Sequence, residues 1–189
     1  MSKDPILLSI LLLSVILISC GCGGMSWQVL SDFMGSKVII PDIETAVFDG
    51  RDTIMPITGA EQVRMVIFYD STVCSSCKVS QIWNWEKVIT TSKALRGKFA
   101  PVFIFSPGEG NVAQLKVSLR TYPFEWPVFI DSTGEFVKQN PHIPADNRLH
   151  TFLLDGNDEV ILVGDPTGNE KLWELYKTTI KEILGDDGQ

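Results

Sequence analysis

The sequence predicts an α/β fold in which helices flank a central mixed sheet, with a β extension at the N-terminal side. Three observations predict it. Continuous apolar runs of strand length recur along the chain, as in strands that are covered on both faces. Stretches with apolar residues at helical spacing lie between these runs. Near the end, two apolar runs are separated by a Gly-Asn-Asp turn, which is the pattern of a hairpin.

The predicted elements alternate between strand and helix. Pro41 and Gly50 end the first two β segments, which would form the N-terminal extension. A long helix begins at Cys74, and Gly97 follows it as a stop. In chain order the predicted elements are β segments at 37–41 and 45–50, strand 64–70, helix 74–95, strand 101–107, helix 112–119, strand 127–131, hairpin strands 150–155 and 159–163, and helix 169–184.

Composition predicts one folded domain and disfavours nucleic acid as a partner. The chain has 189 residues, of which 44% are hydrophobic and 21% charged, close to globular averages. The net charge of -7 repels phosphate backbones. The glycine-rich places at 21–24 and 108–110 lack the spacing of a phosphate-binding loop. We therefore expect no nucleic acid partner and no cofactor.

The first twenty residues are similar to the leader of a bacterial lipoprotein. The apolar stretch 6–18 is shorter than the roughly 20 residues of a membrane-spanning helix and suits a signal peptide. It runs into Leu17-Ile18-Ser19-Cys20, which resembles a lipobox, in which the cysteine is acylated with chains such as palmitate. An uncleaved anchor helix is the alternative, since Lys3 supplies only a weak positive charge.

This resemblance implies a division of the chain into three parts. They are a signal peptide at 1–19, a tether at 20–36 that starts with the lipidated Cys20, and a folded domain at 37–189. The domain would lie outside the cytoplasm, anchored to a membrane of the cell envelope, periplasm-facing or at the outer membrane. Cys22 would be a spare thiol in the tether.

The order of strand, helix starting with CxxC, strand, helix, strand pair and helix resembles the thioredoxin superfamily. The segments PVFIDSTGEFVKQN (127–140) and TFLLDGNDEVILVG (151–164) are similar to its extracytoplasmic TlpA/ResA-like and peroxiredoxin-like branch. The resemblance covers about 37–184 and includes anchored thioredoxin-like proteins of Bacteroidales. It implies a thiol–disulfide oxidoreductase, a reductase in most anchored relatives, with protein thiols or disulfides of the cell envelope as partners.

Cys74 and Cys77 form the CxxC pair, directly after a predicted strand. Exposed N–H groups at a helix N-terminus favour the thiolate and lower the cysteine pKa from about 8.5 toward neutrality, so Cys74 is the predicted nucleophile. Cys77, one helical turn further in, is the predicted resolving cysteine. Zinc would need two further ligands, and only His142 and His150 remain, so we expect no metal. A structural disulfide in a non-catalytic surface module stays the main alternative.

The loop opposite the cysteines departs from the family pattern. The family places a cis-proline just before the strand that starts here at Thr151, and the aligned residue is Leu149. Because a non-proline cis bond costs about 3 kcal/mol, the backbone that pairs with an incoming peptide is not pre-set. The alignment puts Arg148 and His150 beside it, where either cation would stabilise a thiolate at Cys74. Alternatively, Arg148 is solvated and His150 merely begins a strand.

Asp70, at the end of the strand before the cysteines, is a candidate for proton transfer or a simple turn residue. Two other activities stay open. Ser71 and Arg148 resemble the residues that peroxiredoxins keep around their thiolate, although Ile67 stands where their proline is expected. Cys74, Cys77 and His150 would suit copper, although copper-delivery proteins of the Sco type use CxxxC.

Overall fold

The computed structural model describes residues 27–57, 61–108 and 110–185, and seven strands there form one mixed sheet. The strands are β1 (Thr45–Phe48), β2 (Arg51–Ile54), β3 (Val63–Tyr69), β4 (Phe99–Phe105), β5 (Val128–Ile130), β6 (Thr151–Leu154) and β7 (Val160–Val163). The helices are α1 (Trp27–Phe33), α2 (Ser75–Ser80), α3 (Glu86–Ala94), α4 (Val112–Thr121), α5 (Glu135–Gln139) and α6 (Glu170–Leu184), with 3-10 turns at Ile82–Trp85 and Asn147–Leu149.

The strands lie side by side in the order β2-β1-β5-β4-β3-β6-β7. The three central strands, β3, β4 and β5, are parallel, and the outer strands pair antiparallel to their neighbours. The predicted α/β fold with a central mixed sheet, flanking helices and an N-terminal β extension is confirmed. None of the described helices has the length and apolar character needed to cross a membrane.

Strand β3 divides the core into two layers. Met65 and Ile67 face the cluster that contains residues of α3, α4 and α6, whereas Val66 and Phe68 face the cluster that contains Phe136 of α5. Burial of each such side chain contributes roughly 1.5–3 kcal/mol, so both faces hold the strand in place. The continuous apolar run in the sequence reflects this burial on both faces.

The N-terminal extension is a hairpin of β1 with β2, and the predicted segment 37–41 is not a strand. Asp49 and Gly50 join the two strands with φ values of 48° and 71°, as a two-residue hairpin turn requires, and Asp-Gly favours that turn. In the predicted segment, Lys37 makes only an isolated bridge with Glu159. The predicted partner of the 45–50 segment was therefore wrong.

A side chain takes the place of the missing strand partner. The Asn140 amide accepts a hydrogen bond from Ile39 N and donates one to Ile39 O, each at 2.7 Å, and it donates a third to Phe136 O at 2.7 Å. Asn140 is completely buried. It thereby fastens the chain before β1 to helix α5.

The long helix predicted at 74–95 is divided into α2, a 3-10 turn and α3. Side chains three positions apart lie on the same side of a 3-10 turn, so Ile82 and Trp85 both enter the core. Trp83, between them, is half exposed.

Part of the predicted tether is folded. Residues 27–33 form α1, and Phe33 packs edge-on against Phe152 of β6 with ring centroids 5.1 Å apart. The packed part of the chain thus begins before Lys37. The predicted signal peptide and the predicted lipidation at Cys20 lie outside the described residues.

Replacing Asn140 tests how much its hydrogen bonds to Ile39 and Phe136 contribute to stability. Asn140→Ala removes three hydrogen bonds to backbone groups, of which the one to Phe136 O is buried and the two to Ile39 are part-buried. A buried unsatisfied group costs about 1–3 kcal/mol, so we expect a loss of about 2 kcal/mol in unfolding free energy by urea titration. Asn157→Ala is the matched control, because Asn157 bonds only within an exposed turn, and its loss should stay below about 0.5 kcal/mol. Equal losses for the two variants would contradict the role of Asn140.

Candidate functional site

Cys74 and Cys77 are joined by a disulfide at the start of α2, with their Cα atoms 5.2 Å apart. Cys74 is the N-cap of this helix, and its Sγ accepts a hydrogen bond from Cys77 N at 3.2 Å. Both side chains are exposed. Burial therefore does not distinguish an attacking from a resolving sulfur. Cys74 does lie at the start of the helix, as the sequence predicted.

The segment that carries the disulfide is anchored to a neighbouring helix. Ser118 of α4 donates a hydrogen bond from its Oγ to Ser76 Oγ at 3.0 Å. Val79, on the next turn of α2, is fully buried in the core. The backbone between the two cysteines is thus held from one side while the sulfurs face outward.

Asp70 organises the loop that enters the site. Its Oδ1 accepts hydrogen bonds from Thr72 N at 2.9 Å and from Thr72 Oγ1 at 2.6 Å. Thr72 Oγ1 in turn accepts one from Asn147 Nδ2 at 3.0 Å. Asp70 therefore acts as a turn residue, and its turn fastens the cysteine loop to the 3-10 turn at Asn147–Leu149.

Arg148 lies on that turn but is engaged by its own neighbour. The Arg148 Nε lies 2.9 and 3.0 Å from the two carboxylate oxygens of Asp146, and Arg148 N donates to Asp146 Oδ1 at 3.0 Å. The guanidinium hydrogen bonds and the backbone N–H lower the pKa of Asp146 to about 2. Arg148 is 62% exposed, so it is a solvated ion-pair member rather than a cation reserved for a thiolate.

His150 and Leu149 are both buried. His150 is 4% exposed, its Nε2 lies 2.8 Å from Pro144 O, and its ring lies 5.1 Å from that of Phe68. Its Nδ1 has no hydrogen-bond partner and lies 3.9 Å from Asp70 Oδ2. Leu149 is 2% exposed, and no peptide bond among the described residues is cis. His150 thus precedes β6 as a core residue.

The copper-binding arrangement that the sequence left open is not assembled. Within residues 27–57, 61–108 and 110–185, no three His, Cys, Asp or Glu side chains are grouped so that they could hold a metal ion. The contacts of His150 are with Pro144, Phe68 and Asp70. Within the part of the chain that the structure describes, His150 is therefore not grouped with the two cysteines as a third ligand.

A cavity of about 330 Å³ lies beside the disulfide segment. Both neighbours of that segment, Val73 and Lys78, contribute to its wall, and Arg148 faces them from the 3-10 turn. Residues of the 3-10 turn and residues next to the two cysteines thus line the same cavity. The lining residues are Phe68, Tyr69, Val73, Lys78, Asn147, Arg148, Thr151 and Asp165.

Lys78 is a site residue that sequence reasoning missed. Its Nζ lies 5.5 Å from the ring centroid of Tyr69, and among the described residues it makes no ion pair. Tyr69 is fixed below it, because its hydroxyl accepts a hydrogen bond from Trp85 Nε1 at 3.2 Å. Burial raises the pKa of Tyr69 well above its ordinary value, and nearby Asp165 raises it further, so the phenol stays neutral. The clue in the sequence was a cation directly after the second cysteine.

A disulfide-bonded CxxC at the start of the helix that follows a central parallel strand defines the class of thioredoxin-like folds. The chain resembles several solved structures of that class. One is a candidate protein disulfide isomerase from Bacteroides thetaiotaomicron, with 13% identity and a TM-score of 0.53 over 80% of this chain and 91% of that one. Another is a candidate thiol:disulfide interchange protein DsbE from Chlorobium tepidum, with 20% identity and a TM-score of 0.51 over 77% of this chain and 98% of that one.

A third similar structure is AhpC from Enterococcus faecalis, with 12% identity and a TM-score of 0.51 over 82% of this chain and 96% of that one. No protein-family model matches the sequence, and no curated protein matches it. At these identities the likeness is one of fold. The chain has the thioredoxin-like fold, as the sequence predicted.

The pairing of Asp146 with Arg148 predicts an acid titration. The Asp146 carboxyl should titrate near 2 by carbon-detected NMR, and Arg148→Gln should move it toward 3.8. Since the folded pKa is depressed, the contribution of the pair to stability is complete above the ordinary value and is lost as the pH falls toward 2. Asp52, whose pKa is lowered mainly by a hydrogen bond from Lys116, should be unaffected by Arg148→Gln. A midpoint near 3.8 for Asp146 in the unaltered protein would contradict the pairing.

Proposed function

We propose that the protein is a membrane-anchored, extracytoplasmic thiol–disulfide oxidoreductase that reduces disulfides of partner proteins in the cell envelope. The observation that carries the proposal is the exposed Cys74–Cys77 disulfide at the N-cap of α2. Because both sulfurs are exposed, a thiolate can attack the disulfide in the oxidised protein. In the reduced protein, a cysteine thiolate can attack a partner disulfide. A cysteine pair that served only to staple the fold would gain nothing from this exposure.

The proposed reaction uses the two cysteines in turn. In the reduced protein the Cys74 thiolate attacks one sulfur of a partner disulfide, forming a mixed disulfide and releasing the other partner sulfur as a thiolate. The Cys77 thiolate then attacks Cys74 Sγ, which restores the Cys74–Cys77 disulfide and releases the second partner thiolate. The partner gains two electrons, the protein loses two, and a thiol donor must reduce the protein again.

Two groups next to Cys74 support the attacking role. The Cys77 N–H that bonds Cys74 Sγ in the oxidised form can donate to the thiolate in the reduced form. Lys78 brings a positive charge one residue beyond Cys77, and a nearby cation favours the thiolate. Cys77 then resolves the mixed disulfide.

The location and the direction of the reaction are part of the proposal. The lipobox-like tetrad ending at Cys20 supports a lipid anchor, and an anchored, extracytoplasmic protein meets the thiols and disulfides of the envelope. Two similar structures carry names of thiol–disulfide exchange proteins. Reduction is the direction implied by the anchored relatives that the sequence resembles.

A non-catalytic surface module with a structural disulfide is the second candidate. It is favoured by the 3-10 turn opposite the cysteines, where the peptide bonds are trans and the N–H groups of Arg148, Leu149 and His150 are already hydrogen-bonded within the turn. In that function the disulfide would remain closed and only the surface would take part.

Trapping of partners separates the two candidates. Cys77→Ser should leave Cys74 joined to partner proteins in the native cell, because the mixed disulfide lacks its resolving thiol. Such adducts should disappear on reduction and should be absent from Cys74→Ser, which retains one cysteine of the pair as a matched control. If Cys77→Ser yields no adduct, the surface module is the better description.

The reduction potential tests the proposed direction. Equilibration with glutathione or dithiothreitol buffers should give a value near about -270 mV, in the range of reducing thioredoxins. A value near about -120 mV would make the protein an oxidant instead. A value below about -300 mV, together with slow reduction by thiols, would indicate a structural disulfide.

A further inference from the structure

The 3-10 turn at Asn147–Leu149 and the residue after it hold three backbone N–H groups that are already hydrogen-bonded within the turn. Arg148 N donates to Asp146 Oδ1 at 3.0 Å, and Leu149 N donates to Asp146 O at 2.9 Å. His150 N donates to Asn147 O at 3.3 Å. An extended peptide that adds to an exposed edge needs free N–H groups there. These three N–H groups are therefore not available to pair with a partner peptide, and we look to side chains for discrimination between partners.

Lys78 is the side chain best placed to discriminate between partners. It follows Cys77 directly and reaches over the wall of the cavity beside the disulfide, with Nζ 5.5 Å from the Tyr69 ring centroid. A contact with the face of an aromatic ring neutralises no charge and leaves at least two of the three ammonium donors available to a partner. Within the described part of the chain no carboxylate pairs with it.

The ring below the ammonium group is rigid. Trp85 Nε1 holds the Tyr69 hydroxyl at 3.2 Å, and the Tyr69 ring packs against Phe105 with centroids 4.7 Å apart. The ring cannot turn to follow a ligand.

Arg148 and Asp165 are the other charged side chains that line the cavity. Arg148 is neutralised by Asp146 through a two-pronged pair. Asp165 accepts hydrogen bonds on Oδ1 from Thr167 N at 2.8 Å and from Thr167 Oγ1 at 2.7 Å. Lys78 is thus the cation of this cavity that no neighbouring carboxylate neutralises, in a protein whose net charge is -7.

We propose that Lys78 selects partner disulfides whose cysteine is flanked by an acidic residue, by pairing with that carboxylate while Cys74 attacks. The inference rests on the proposed thiol–disulfide exchange and names the partner class for it. A carboxylate next to the partner cysteine lies within a few ångströms of the sulfur under attack, and Lys78 is adjacent to Cys77. A lysine or arginine at that place in the partner meets like charge, so basic partners react more slowly.

The test uses the full-length reduced protein and three short peptides. Each peptide has one cysteine activated as a mixed disulfide with uncharged 2-thiopyridine, and the residues on both sides of the cysteine are Glu, Gln or Lys. Release of thiopyridone reports the second-order rate at low ionic strength. We expect the Glu peptide to react about threefold faster than the Gln peptide, the size of an exposed ion-pair effect, and the Lys peptide to react more slowly still.

Variants assign the preference to one side chain. Lys78→Gln should abolish the difference between peptides, whereas Lys78→Arg should keep it. Lys181→Gln removes the same charge from the exposed face of α6 and should leave the preference intact. The ratio of rates is the readout, because Lys78 also affects the thiolate and this changes all three rates equally.

The outcomes separate this inference from the function on which it rests. Equal rates for the three peptides with the unaltered protein would overturn the role of Lys78 and leave thiol–disulfide exchange standing. A preference that survives in Lys78→Gln would overturn it as well. Failure of the reduced protein to react with any peptide would remove the proposed function itself.

Discussion

The two-sided burial of β3 is the constraint on which the site depends. The strand is paired along both edges, parallel to β4 and antiparallel to β6, and its side chains enter both core layers. Its end is therefore a fixed point, from which the chain runs through Asp70 to Cys74. In the same register Phe68 N donates to His150 O at 2.9 Å. The pairing of β3 with β6 thus brings the loop at 147–150 beside the cysteines, and the hydrogen bond from Asn147 to Thr72 fastens it there.

The charges around the disulfide show how the neighbourhood of a group changes its use. Arg148 and Lys78 both line the same cavity, and either cation is of a type that stabilises a thiolate or pairs with a carboxylate. The Asp146 carboxylate accepts hydrogen bonds from the guanidinium of Arg148 and from the backbone N–H of Arg148, at the start of the 3-10 turn. Lys78 is left above a tyrosine ring. The positive charge of Arg148 therefore belongs to a structural ion pair, whereas that of Lys78 remains available to a partner.

Burial separates the candidate residues in a similar way. The sequence made His150 a candidate copper ligand or thiolate-stabilising cation, yet it lies in the core against Phe68, with one ring nitrogen at Pro144 O. Asp70 resembles a proton carrier, yet its Oδ1 is occupied by Thr72. Both residues shape the loop that carries the cysteines. Their contribution to the site is one of position.

The sequence by itself determined the elements that local patterns encode. The apolar runs became β3, β4 and β5, the CxxC opened α2, and Asn169 capped the last helix through a hydrogen bond from Leu172 N at 3.1 Å. Periodicity reports which faces are buried, and capping depends on residues three apart, so both can be recognised within a short window.

Only the tertiary structure decided what depends on residues far apart in the chain. Asn140 replaces a strand partner for Ile39, 101 positions away, and Asn147 reaches Thr72 across 75 positions. The exposure of Cys77 and the free charge of Lys78 likewise follow from neighbours brought in by the sheet. Such contacts depend on strand register and side-chain geometry, which no local pattern records.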